Sequence, residues 1–253
     1  MKVVCIGSGN VATHFTQALN AAGHSIVQIW SKGLKNAKIL GNSLQAPAIS
    51  NWEELNQDAD LYLIAVRDDA IAGVAEQLQD IQGLVLHTSG ATALTALSLL
   101  KRSGVLYPLQ TFSKAKAVDF KLVPLCIEAS KPADLSMLRD LATQLSSKVY
   151  DVDSKQRKIL HLAAVFACNF TNHLYHISSS ILEENQLDFA MLHPLIQETV
   201  DKIQTETPFN AQTGPALRND QVTMDAHINL LKSSPEFKEI YINLSDSIKK
   251  THK

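Results

Sequence analysis

The stretch VVCIGSGNVATHF, residues 3–15, joins an apolar run to an amphipathic one through Gly7, Ser8, Gly9, Asn10 and Val11. That junction constrains everything after it. Gly7 permits a tight turn, Gly9 lets an anion approach the backbone, and Ala12 lets a helix pack closely on a strand. The helix start then offers unpaired N–H groups to a diphosphate. Gly-x-Gly-x-x-Ala at the first strand–helix junction predicts nucleotide binding within an α/β domain; the alternative is a glycine turn that holds nothing.

The next 140 or so residues fit that expectation. Strand candidates are KVVCI (2–6), HSIVQIW (24–30), LYLIAV (61–66), LVLH (84–87), GVLYPL (104–109), LVPLCI (122–127) and KVYDV (148–152). Several are apolar on both faces, as strands of a covered parallel sheet are. Helix signals lie between them. Asn10–Ala22 is stopped by Gly23, and Ser50-x-x-Glu53 has the capping-box spacing. Asp68 or Asp69 is placed to cap AIAGVAEQL, and Pro132 suits the first turn of PADLSMLRDLATQL. After Val152 the pattern becomes helical. Ile159, Leu162, Phe166, Phe170, Leu174, Ile177 and Ile181 recur every three or four residues, marking one face of a helix from about Ser154 to Glu184. Further helices are expected over about Asp188–Glu206, Val222–Leu231, and from a Ser234 cap with Pro235 at the first helical position. The expected fold is therefore an α/β Rossmann-type doubly wound sheet (1–152) followed by an all-α domain (153–253).

The end of the second strand chooses between ligands. Dinucleotides and S-adenosylmethionine both usually require Asp or Glu there to hold ribose hydroxyls. Here Ser31 and Lys32 occupy the place, with Lys35 within a turn. A hydroxyl and an ammonium suit a 2′-phosphate, which predicts NADP(H); a merely solvated Lys32 is the alternative. Strand carboxyl ends line the ligand crevice of an open parallel sheet. Ala65, Val66, Arg67 and Asp68 should therefore pass under the adenine ribose and diphosphate. Thr88 and Ser89, in HTSG, should approach the nicotinamide.

Composition excludes other classes. The chain has 253 residues and a formal net charge of -2, without long runs of one sign. Nucleic acid and anionic membranes are poor partners for such a surface. No apolar run approaches the ~18 residues of a membrane span. MKVVCIGSG passes from Met1 directly into a strand pattern, so no signal peptide is expected. Cys5, Cys126 and Cys168 lie in apolar settings and are expected to be buried and reduced, as in a cytoplasmic protein. No thiol pairs with His at metal-ligand spacing, so no metal site is expected.

The helical half carries a second stripe. Asn169, Asn172, His173 and His176 fall at i, i+3, i+4 and i+7. A polar, uncharged strip suggests a face toward a polar cavity, or else plain exposure to solvent. Glu198 and Lys202 at i, i+4 read as a surface pair. FNAQTGPALRND (209–220) then interrupts the helices with Thr213, Gly214, Pro215, Arg218 and Asp220; the alternative to a binding segment is a plain interhelical turn with Arg218–Asp220 as a local ion pair.

Taken together, GSGNVATHF, VRDDAI, HTSG, GVLYPLQTFS, ACNFTNHLY and PLIQETVDKI…PFNAQTGPALRNDQVTMDAHINLL resemble the Rossmann-like proteins with a DUF2520 C-terminal domain. More distantly the chain is similar to pyrroline-5-carboxylate reductase and the 6-phosphogluconate dehydrogenase-like group. The resemblance implies an NADP(H)-dependent oxidoreductase that acts on a small C=N or C=O compound. It also implies a homodimer through the helical domain. Within it, Asn169, Asn172 and His173 would orient the reactants, with His173 the preferred general acid and Lys202 a second candidate. Thr213, Gly214 and Arg218, in the connection that closes over the substrate in the reductases, would hold an anion. The sequence departs from those relatives in lacking their Gly-Gly-Thr-Thr stretch and the glycine spacing before a catalytic lysine, so no particular substrate transfers. Two alternatives are an NADP-binding sensor or regulatory dimer without turnover, and NADP paired with a deazaflavin, for which Trp30 and Trp52 form no obvious platform.

Overall fold

The computed structural model describes residues 1–253. The strands are β1 (Lys2–Ile6), β2 (Ser25–Trp30), β3 (Ala48–Ile49), β4 (Leu61–Ile64), β5 (Leu84–His87), β6 (Ser103–Pro108), β7 (Leu125–Ala129) and β8 (Val149–Asp151). They form one eight-stranded sheet in the order β3-β2-β1-β4-β5-β6-β7-β8. Every neighbouring pair is parallel except β6 and β7, which run antiparallel.

Alternation along each strand supplies two cores. Val3 and Cys5 of β1 join Phe15 and Leu19 of α1 (Asn10–Ala21), Leu40 of α2 (Leu34–Leu44) and, further along the sheet, Leu138 and Leu141 of α4 (Pro132–Leu145). Val4 and Ile6 face the other way, onto a cluster holding Ile71 and Val74 of α3 (Ile71–Gln77) and the 3-10 turn at Leu97. Helical segments thus cover both faces, which is why β4, β5 and β6 are buried at every residue.

All seven expected strands form, with ends shifted by a few residues. β3 and α2 carry too little signal: β3 has two residues, and α2 follows Gly33 without a side-chain cap. Two capping expectations fail. Asn51, not Ser50, caps the single 3-10 turn Trp52–Glu54, accepting from the Glu53 amide at 3.3 Å. Neither Asp68 nor Asp69 caps α3; both sit in a 3-10 turn ahead of it, and the Asp69 carboxylate is taken by Arg67.

The chain divides into two compact units, Met1–Asn169 and Phe170–Lys253. The first includes the sheet and α5 (Ser154–Ala164), which opens with a capping box between Asp153 and Gln156. The second holds α6 (Thr171–Glu184), α7 (His193–Thr205), α8 (Gln221–Leu230) and α9 (Pro235–Thr251). The helix expected over 154–184 is not uniform: Val165–Phe170 is a π-helical turn between α5 and α6. No Gly or Pro marks it, so only a change in hydrogen-bond register distinguishes it. The 188–206 helix likewise starts with a 3-10 turn, capped by Asp188, before α7. Ser234 stands at the N-cap of α9 without a side-chain bond.

The apolar stripe on α5 and α6 is largely open. Ile159 is 64% exposed and Leu162 55%, whereas Ile177 is buried. In the second unit only Ile177, Ala216 and Met224 are buried hydrophobic residues, while Phe209, Leu195, Ile203, Val222 and Leu230 are exposed. Cys5 and Cys126 are buried, but Cys168 is exposed, which corrects the expectation of three buried thiols. Its small side chain lies on the open face of the π-turn. No helix is long and apolar enough to cross a membrane.

Candidate nucleotide crevice and active site

The chain winds from β1 toward β3, then returns to start β4 on the other side of β1. That reversal opens a crevice at the strand carboxyl ends, the place where open α/β sheets bind ligands. Gly7 follows β1 with φ +127°, and a Cβ there would stand 2.1 Å from the Ala65 carbonyl oxygen beyond β4. Only glycine fits. Gly9 differs: a Cβ there meets nothing within 4 Å, so its face is open. Gly9 is also the N-cap of α1 and provides no side-chain cap, which leaves the first-turn amides for an external acceptor. The loop is braced from outside. Lys114 donates to the Ser8 carbonyl at 2.9 Å, and Asn10 donates to the Phe112 carbonyl at 2.9 Å.

The crevice encloses about 890 Å³. It crosses successive strand ends: Trp30, Ser31 and Lys32 after β2; Gly7–Val11 after β1; Ala65–Asp68 after β4; Thr88, Ser89 and Gly90 after β5; Tyr107, Pro108 and Gln110 at β6. Every residue expected to hold the cofactor lies on this wall. Ser8 donates to the Ser31 hydroxyl at 2.9 Å, joining the phosphate loop to the β2 end. Lys32 is exposed beside it. Trp30 and Trp52 stack with ring centroids 3.9 Å apart, so each covers a face of the other.

The far end is built from separated segments. Tyr107 Oη lies 3.1 Å from His161 Nδ1 on α5. Both rings press on Gly90, where a Cβ would be 2.7 Å from His161 Nδ1 and 2.8 Å from the Tyr107 ring. Burial pushes the Tyr107 phenol up to about 12; Cys126 and Asp68 add to the rise and Arg157 opposes it. The phenol therefore holds its proton across the neutral range. Tyr107, His161 and Gln110 also line an adjoining cavity of about 700 Å³, together with Leu160, Cys168 and Asn169.

Arg157 sits one helical turn before His161 and is fully buried. Its guanidinium donates to Glu128 Oε2 at 2.5 Å, to the Thr92 carbonyl at 2.8 Å and to Ser154 Oγ at 3.2 Å. Ser154 in turn donates to Glu128 and accepts from the Leu94 amide. The 89–94 turn and α5 are thus fastened to β7 through one charged cluster. His87, at the end of β5, is fully buried. Burial, then the Arg157 charge, push its imidazole down to about 4. His87 is neutral, with Nδ1 accepting from the Ser89 amide at 3.2 Å.

The remaining expected residues sit as follows. Asn169 reaches the second cavity. Asn172 and His173 are exposed on α6, with the His173 and His176 ring centroids 6.1 Å apart. Lys202 is paired with Glu198 at 3.5 Å on the surface of α7. Thr213 and Arg218 are exposed, and Gly214 adopts φ +105°. The Arg218–Asp220 ion pair of the plain-turn alternative does not form. Asp220 instead caps α8, accepting from the Thr223 amide at 3.1 Å and the Thr223 hydroxyl at 2.7 Å. Those bonds, before the Arg218 charge, hold its carboxyl below the usual range. The Arg218, Asn219 and Asp220 amides are spent on the Gly214, Ala216 and Pro215 carbonyls. The end of FNAQTGPALRND is therefore a turn bonded to itself that caps the next helix. Tyr107, His161, Gln110, Arg157 and Lys114 were not singled out from the sequence.

Residues 1–112 match the family model of the Rossmann-like domain, and residues 123–248 match the domain of unknown function DUF2520. The chain is 40% identical to a putative NADP oxidoreductase from Bacteroides fragilis, over 98% of each chain, with a TM-score of 0.94. It shares its fold with an imine reductase from Streptomyces aurantiacus (15% identity, 99% and 94% covered, TM-score 0.75). The same holds for a 1-pyrroline-5-carboxylate reductase from Streptococcus pyogenes (14% identity, 99% and 98% covered, TM-score 0.63). A search of curated proteins finds no match.

Proposed function

Because this chain belongs to the family of Rossmann-like proteins with a DUF2520 domain, we propose that it is an NADP(H)-dependent oxidoreductase that moves hydride to or from a small C=N or C=O compound. The observation that carries this reading is the single crevice running from Ser31 and Lys32, past the phosphate loop, to Tyr107 and His161. Five strand ends at ~4.8 Å spacing make it roughly 19 Å long, room for two nucleotides joined by a diphosphate. The relative from Bacteroides fragilis, alike over its whole length, points to the same cofactor.

The crevice fits that cofactor. Gly9 presents no side chain to a diphosphate, and the uncapped start of α1 presents amides. Ser31 and Lys32 would take the 2′-phosphate, a charge-assisted contact. Thr88, Ser89 and Gly90 would flank the nicotinamide. When bound, the nicotinamide exchanges hydride with the substrate carbon; the protein orients the partners and manages the proton.

The imine and pyrroline-5-carboxylate reductases that share the fold make a small cyclic imine the first substrate class to try. In this reading Asn169, Asn172 and His173 orient the substrate, His173 and then Lys202 are the candidate proton donors of the helical part, and Thr213, Gly214 and Arg218 hold its anionic group. We further infer a homodimer through the helical part. The exposed apolar side chains of α5 to α8, beside a second unit with only three buried hydrophobic residues, support it.

The test is stopped-flow oxidation of NADPH against cyclic imines and 2-oxo acids, with NADPH affinity measured separately by calorimetry. Turnover of one class sustains the proposal. Tight binding with no turnover of any would replace it with a protein that holds the nucleotide unreacted.

A further inference from the structure

We propose that Tyr107 is the proton donor of the reduction and that His161 is its positioning residue and its connection to solvent. The inference rests on the oxidoreductase reading above. It follows from where the crevice ends. The adenosine end is fixed by Ser31 and Lys32 and the diphosphate by the phosphate loop, so the reacting ring falls at the β5 and β6 ends. Tyr107 closes that end with its hydroxyl, and it also borders the adjoining cavity of about 700 Å³ where a substrate would lie. No other phenol, carboxylic acid or ammonium borders both spaces; the imidazole of His161 does, but it touches the phenol.

The proton balance is simple. As the substrate carbon gains hydride, the C=N or C=O π pair moves to nitrogen or oxygen. The Tyr107 O–H bond breaks, and its proton forms the new N–H or O–H bond. The phenolate left behind accepts a hydrogen bond from His161 Nδ1–H. It regains its proton through that ring, which takes one from solvent at Nε2 as it releases one at Nδ1. His161 is half-buried, so water reaches it. The high pKa of the phenol keeps the donor loaded. Gly90 makes the arrangement possible, since any side chain there would part the two rings.

The discriminating experiment compares two probes, 2-methyl-1-pyrroline at a pH above its own pKa and the N-methylated iminium salt of the same ring. The first needs hydride and a proton; the second needs hydride alone. Tyr107→Phe should slow the imine by about 10²–10⁴-fold, the usual range for a general acid, while the iminium rate stays within about twofold. His161→Asn, which keeps an amide where Nδ1 stood, should retain more imine reduction than His161→Leu. An independent reading comes from 13Cζ-tyrosine NMR, where the signal missing from Tyr107→Phe should shift when NADP+ is added to the wild type. An equal loss on both probes, a loss of NADPH affinity in Tyr107→Phe, or a Tyr107 signal unmoved by saturating NADP+ overturns the assignment and leaves the oxidoreductase reading intact. A wild type that reduces neither probe overturns the assignment as an imine proton donor, and one that also turns over no 2-oxo acid removes the oxidoreductase reading with it.

Discussion

Arg157 and Glu128 meet at 2.5 Å, with the guanidinium fully buried, and through this pair the first helix after the sheet is tied to β7. Removing one partner of such a pair strands the other charge. Arg157→Met should cost about 3–5 kcal/mol and lower the melting temperature by on the order of 10 °C. The double variant Arg157→Met with Glu128→Leu should recover much of that loss. Thermal unfolding of the three proteins measures both effects, and a harmless single variant would show that the cluster is dispensable.

His87 makes stability depend on pH. Its folded-state pKa, about 4, lies below the 6.5 of the unfolded chain. Below pH 6.5 the unfolded form takes up a proton that the native form refuses, so stability falls as pH falls. The loss runs at about 1.4 kcal/mol per pH unit and stops near pH 4, where both forms are protonated. Urea titrations at pH 7 and pH 5 should differ by about 2 kcal/mol from this group. His87→Gln should flatten that difference.

The two loop glycines should fail differently. Gly7→Ala combines a left-handed φ with a backbone clash, so it should melt at a clearly lower temperature. A Cβ at Gly9 meets no atom within 4 Å, so Gly9→Val should keep its melting temperature within a few degrees and lose the heat of NADPH binding. A Gly9→Val protein that binds NADPH normally would move the diphosphate elsewhere.

Cofactor choice should reside in Lys32. Lys32→Glu should weaken NADPH by about 10–100-fold, the worth of a charge-assisted bond, and leave NADH nearly unchanged. Calorimetry with both nucleotides decides it; equal changes would mean that Lys32 serves only solubility.

The exposed face of α7 should be an interface. Leu195 is 64% exposed and Ile203 46%, a free surface on one chain. Leu195→Asp with Ile203→Asp should sediment as a monomer where the wild type sediments as a dimer. An unchanged sedimentation coefficient would place the contact on another face.

Legibility in the sequence followed locality. The phosphate loop, Ser31 and Lys32, and HTSG could be read because each stands at a strand end announced by its own neighbours. Tyr107 was visible only as part of a strand, since its partner is fifty-four residues away. Arg157 sits in SKQRK, a polar run that reads as solvent-facing; the Glu128 carboxylate from β7 and the Thr92 carbonyl, both distant in sequence, reverse that reading. The π-turn at Val165–Phe170 is equally silent, because its residues differ in no way from those of an ordinary helix. FNAQTGPALRND stands out in the sequence as a break, whereas the use of its Arg218, Asn219 and Asp220 amides within the turn depends on its folded shape.

The antiparallel step between β6 and β7 has a final consequence. Past β6 the next strand presents its amino end, so the row of carboxyl termini stops there. The strand ends that line the groove therefore run from Ser31 to Tyr107 and no farther. Past Tyr107 the wall is made by the helix that carries Leu160 and His161, so the sheet sets a built-in ruler for the part of a ligand it holds.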